Sequence, residues 1–144
     1  MILDSQLLFS DAQAITAAAA STNGVDFGAG TKDLGLGESL WIALNVGVAF
    51  TDAGSDSTIT VTLETDTDPS FGSPTVAATL VTIPALAPIG AAYFVSIEPG
   101  VVAERYVQLR YTPANGDLTT GSVTAAIVKD IQKQVIYPKG YTIV

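Results

Sequence analysis

The sequence predicts an all-β chain: a jelly-roll-like antiparallel β-sandwich of about eight strands, with an extended N-terminal arm and a C-terminal tail. Three observations carry that expectation. Several runs alternate apolar and polar residues with the two-residue period of a half-buried strand. Turn signals recur roughly every 8–15 residues. Helical periodicity is nearly absent. A chain of 144 residues fits one domain. Its parts are an arm over 1–9, the sandwich over 10–130 and a tail over 131–144.

Met1–Phe9 is short and apolar, and packs on its own sandwich or on a neighbouring subunit. Ser10 to Ala20 carries two signals. Ser10-Asp11-Ala12-Gln13 has the form of a capping box, yet Ile15, Ala17 and Ala19 alternate with Thr16 and Ala18. The extended reading is preferred. Ser21–Gly24 turns the chain and Val25–Phe27 is a short extended piece. Gly28–Gly37 is a glycine-rich loop, but its spacing is not that of a P-loop and no strand-then-helix context surrounds it.

Leu40–Phe50 is the clearest strand. Leu40, Ile42, Leu44, Val46, Val48 and Phe50 fall on one face, and Trp41, Ala43, Asn45, Gly47 and Ala49 on the other. After a turn at Thr51–Asp56, Ser57–Thr65 places Ile59, Val61 and Leu63 inward against an outward threonine ladder. These two strands are expected to form a hairpin. Thr75–Ile83 and Tyr93–Glu98 are further strands, flanking a loop bracketed by Pro84 and Pro88. Glu104–Thr112 alternates strongly, with Val107, Leu109 and Tyr111 on one face. Asn115-Gly116 is a strong hairpin signal, so Thr119–Lys129 is expected to fold back on that strand. Arg105, Tyr106, Leu109 and Tyr111 are the candidate structural anchors, the arginines pairing with surplus acids at an edge or between sheets. The closing Val135–Val144 is apolar and tyrosine-bearing, as interface segments often are.

Composition limits the chemistry. With neither Cys nor His, the chain alone cannot build a disulfide, a thiolate nucleophile or a Ser-His-Asp triad. A net charge of −8 argues against direct nucleic-acid binding. Only 14% of residues are charged while 48% are hydrophobic, which points to a surface partly covered by other protein. Asp4 interrupts the N-terminal apolar run, and no stretch reads as a signal peptide or transmembrane helix. Asp52, Asp56, Glu64, Asp66 and Asp68 lack a recognised ligand spacing, so no metal or other cofactor is assigned. Nothing places Asp52 and Glu64 as a glycosidase pair, and the chain is expected not to be an enzyme. Trp41, Tyr93 and Tyr106 would serve a carbohydrate-binding or adhesin-like module only if clustered, and the sequence spreads them apart.

A family resemblance runs along most of the chain. It is carried by Leu3-Asp4, Phe9–Thr16, Ser21-Thr22-Asn23 with Asp26, and Leu63-Glu64-Thr65. Arg105-Tyr106 with Leu109 and Tyr111, Ala126-Ile127-Val128 with Asp130, and Tyr137–Tyr141 continue it. In order and spacing these resemble capsid cement (decoration) proteins of the Bordetella-phage jelly-roll type. The resemblance implies a non-enzymatic protein on the outer capsid surface of the virion, made in the host cytoplasm. Its partner would be the major capsid protein of a tailed-phage shell, and it would act as a homodimer, with a homotrimer as the alternative. No membrane partner is implied. The candidate interface residues are Ile2, Leu3, Leu7, Leu8 and Phe9 in the arm and Ile136, Tyr137, Tyr141 and Ile143 in the tail.

Overall fold

The computed structural model describes residues 3–29, 40–98, 100–129 and 131. Met1, Ile2, most of the glycine-rich loop and the tail from 132 onward lie outside the described residues. The described chain is all β: β1 (Leu8–Ala14), β2 (Ala19–Ala20), β3 (Val25–Asp26), β4 (Leu40–Thr51), β5 (Thr58–Asp66), β6 (Thr75–Ile83), β7 (Ala92–Ile97), β8 (Tyr106–Ala114) and β9 (Thr120–Val128). A single 3-10 turn over Ser5–Leu7 precedes β1, with the Asp4 carboxylate accepting from the Gln6 N–H at 2.9 Å.

The strands form two antiparallel sheets. One has the order β1-β9-β4-β7, the other β2-β8-β5-β6 with the short β3 also on β8. Six connections, β1 to β2, β3 to β4, β4 to β5, β6 to β7, β7 to β8 and β8 to β9, cross from one sheet to the other. That interleaving is the jelly-roll order. It corrects both expected hairpins. β4 and β5 share no ladder, and neither do β8 and β9. The reason for the second is visible at the turn. Asn115 and Gly116 do take positive φ, 65° and 119°. The chain then buries Leu118 and ties its N–H to the Thr16 carbonyl at 2.9 Å, which carries it across the gap between sheets. A turn signal fixes a reversal of direction, not the sheet that receives the next strand.

Alternation sets which face is buried. Ile42, Leu44 and Val46 of β4 oppose Ile127, Ala125 and Val123 of β9, and all six are core. Across the gap stand Ile59, Val61 and Leu63 of β5 with Val107, Leu109 and Tyr111 of β8. The expected inward faces of these strands are observed. Val48 departs from its expected face: the β4–β9 register shifts on both sides of it and it is 50% exposed. The bulge breaks the two-residue period. The segment Ser10–Ala20 contains no helix; it is strand to Ala14, turns through Ile15–Ala18 and resumes at Ala19.

The two sheets are also joined by a polar link. Ser10 Oγ donates to Gln13 Oε1 at 2.7 Å and lies 2.8 Å from the Tyr111 hydroxyl. Ser10 has one hydroxyl hydrogen and gives it to Gln13, so Tyr111 donates to Ser10. Gln13 also accepts from the Thr22 N–H and donates to the Ala20 carbonyl, closing the β1–β2 corner.

Candidate interaction surface

Because the chain alternates between sheets, its connections gather at two opposite ends. One end holds the loops of 15–18, 52–57, 84–91 and 115–119. The other holds the N-terminal turn and the ends of β3, β5, β7 and β9. β9 finishes at that second end, with Val128 beside Trp41, and β9 also touches the N-terminal 3-10 turn.

The arm candidates do not behave alike. Leu3 is exposed, Leu7 is half-buried against the core, and Leu8 is laddered to Ala126. Phe9 is fully buried, which corrects its assignment as an interface residue: β1 is already under way there, and its side chain fills the sandwich. Ile2, Ile136, Tyr137, Tyr141 and Ile143 lie outside the described residues.

The two arginine anchors fasten strands within one sheet, whereas Tyr111 reaches across to Ser10 of the other. Arg105, just before β8, binds Asp26 on β3 through Nε and one terminal nitrogen, at 2.6 and 2.7 Å. That hydrogen bonding, helped by the Gly28 N–H, holds the Asp26 carboxyl at about 2, below its usual 3.8. The Arg105 guanidinium also lies 4.9 Å from the centre of the Tyr106 ring. Arg110 Nε donates to Glu64 at 2.8 Å, and Gln108 donates to the other oxygen of that carboxylate, also at 2.8 Å. Leu109 and Tyr111 are fully buried, and burial pushes the Tyr111 hydroxyl up to about 12.

The loop-rich end is bound together by backbone and side-chain hydrogen bonds. Asp52 caps its own loop, accepting from the N–H groups of Ser55, Asp56 and Ser57. Hydrogen bonds from Ser57, its hydroxyl first, and from these N–H groups hold the Asp52 carboxyl below the usual range. Asn115 Nδ2 donates to the Asp56 carbonyl, and Thr119 N–H to the Thr51 carbonyl. The loop after β6 is fastened to β4: Phe50 N–H donates to Ala87, Gly90 N–H to Val46, and Val46 N–H to Ala91. Leu86 (53% exposed), Ile89 (72%) and Val48 stand out from this end. Sequence reasoning saw only a proline-bracketed loop here. The available signal was charge: no charged residue occurs from Pro69 to Ile97.

Other combinations raised by the sequence are not brought together. Asp52 lies in the loop before β5, while Glu64 is six residues along that strand from Thr58, roughly 20 Å. Among the described residues, no group of three or more acidic side chains could hold a metal ion. Trp41 and Tyr106 belong to different sheets, and Tyr93 opposes the buried Leu44. Phe94, however, is the diagonal neighbour of Trp41 on the outer face, since Trp41 pairs with Ser96 and Ala43 with Phe94. Among the described residues, no helix is long and apolar enough to cross a membrane.

No curated protein matches the chain. The Bbp16 family model matches residues 9–127, from the second residue of β1 to the penultimate residue of β9. That span covers nearly the whole jelly roll, and the chain belongs to the Bbp16 family, a Bordetella phage protein family.

Proposed function

We propose that this protein is a capsid cement protein. It binds the outer surface of a tailed-phage shell, bridges neighbouring major capsid subunits and reinforces the shell against internal DNA pressure. The observation that carries this reading is the family match across nearly the whole sandwich, which makes the chain a phage protein whose described residues form one β platform. The platform also suits the task. It has two separated ends, and bridging requires two footholds. Action is by avidity: modest contacts, repeated over a lattice, raise effective concentration and make the coat cohesive. A homodimer across a local two-fold axis would present each patch twice. The arm and the tail form one foothold, through Leu3, Ile136, Tyr137, Tyr141 and Ile143. The role asks for no catalysis and no cofactor.

Purified protein is expected to co-sediment with capsids at a fixed ratio to the major capsid protein. Deleting 135–144 lowers that ratio. Particles lacking the protein burst at lower temperature or under milder osmotic shock; equal resistance with and without it removes the cement role. The diagonal Trp41–Phe94 pair favours a second reading, carbohydrate binding on the outer sheet face. A glycan array read alongside quenching of the single tryptophan separates the two.

A further inference from the structure

We propose that the loop between β6 and β7 is a preformed apolar knob that seats in an apolar, basic-rimmed socket on a shell subunit. It would be the second foothold of the bridge, and it rests on the cement reading. Leu86 and Ile89 project from the loop, and Val48 of β4 stands beside it, exposed by the bulge. Between them Ala87 is buried at 1%, so the loop grips its own body while presenting its larger side chains outward.

The knob is held in one shape. Pro84 and Pro88 restrict the backbone. Its fastening to Val46 and Phe50 is completed by the Ala91 N–H, which donates to the Pro88 carbonyl at 3.1 Å. A preorganised loop loses little freedom on docking. Leu86 also sits at φ 58°, in the left-handed region that favours glycine. A large apolar residue is kept outward at a conformational cost to the free protein, a pattern that marks functional positions.

The chemistry of the partner follows from the surroundings. The knob itself is uncharged, as is the whole run from Pro69 to Ile97. Around it the same end carries Asp52, Asp56 and Asp117, in loops tied to each other. An apolar tip within an acidic rim complements an apolar socket lined at its edge by Lys or Arg. A second copy of this acidic chain would set like charges against each other.

The test uses full-length protein and purified capsids. Leu86→Gly removes the side chain and relieves the backbone, so the variant is expected to melt no lower than wild type. Its capsid affinity falls at least ~10-fold. Ile89→Ser, at an exposed position, behaves the same way, and Asp56→Asn with Asp117→Asn flattens the salt dependence of binding. Unchanged affinity of the Leu86→Gly, Ile89→Ser double variant while wild type binds overturns the knob and leaves the cement reading standing. Wild-type protein that does not bind capsids overturns both. A wild-type dimer that falls apart in the double variant, seen by sedimentation without capsids, also overturns the proposal, because the occupant is then a second copy.

Discussion

Tyr111→Phe removes one hydroxyl from the link between the sheets and should change stability in opposite directions at neutral and alkaline pH. Near pH 7 the variant loses the hydrogen bond to Ser10, whose hydroxyl still reaches Gln13. The expected cost is about 1 kcal/mol. For a chain of this length that lowers Tm by about 3 °C. The alkaline effect comes from linkage. The folded hydroxyl titrates at about 12, against 10 for the ordinary group. Its proton-bound form is therefore favoured by folding. The associated stability is fully present below pH 10 and is lost as pH rises towards 12. Two pH units correspond to about 2.7 kcal/mol, which wild type loses and the phenylalanine variant does not. The two stabilities should cross near about pH 11. Every other group is common to the two proteins, so the difference between paired thermal melts isolates this hydroxyl. Melting curves that stay parallel from neutral to alkaline pH would refute the reasoning.

Three further outcomes follow from the packing. Gly121 has φ 148°, and a Cβ built there collides with the edge of the Phe50 ring, so Gly121→Ala should cost about 3 kcal/mol or more; an unshifted denaturation midpoint would contradict this. Arg110→Ala leaves the Glu64 carboxylate buried with Gln108 alone. The cost should be about 1–2 kcal/mol, held down because Arg110 is itself more than a third exposed, and adding Glu64→Gln should restore most of it in a double-mutant cycle. The Asp26 carboxyl is depressed to about 2, so the stability it gains from Arg105 is present above pH 3.8 and is lost as pH falls through 2. Asp26→Asn should remove that acid-side slope, read by melts at decreasing pH.

Faces were legible in the sequence where the two-residue period was unbroken. Ile59, Val61 and Leu63, and Val107, Leu109 and Tyr111, are buried as their alternation implies. Neighbours were not legible. Alternation says which side of a strand is wet, while pairing depends on where each loop delivers the next strand. Asn115-Gly116 therefore marked a reversal but not the change of sheet. Val48 was misplaced because a bulge leaves little trace in composition. Phe9 looked like part of a sticky arm because an apolar residue near a terminus reads alike whether it enters the core or grips a neighbour. The exposed knob was hidden for a related reason: Leu86 and Ile89 have the composition of core, and only the hydrogen bonds that anchor their loop turn them outward.

The pairing of β1 with β9 has a consequence for how the molecule is made. Leu8 meets Ala126 and Ala14 meets Ser122, so an edge of the first sheet is set by residues from nearly opposite ends of the described chain. β4, in the middle, also waits for β9. A ribosome-bound fragment lacking β9 cannot close that sheet, and such non-local pairing makes folding slow. The chain thus reaches its native strand order only after β9 has been synthesised, so a nascent fragment stays without its finished first sheet until late in translation.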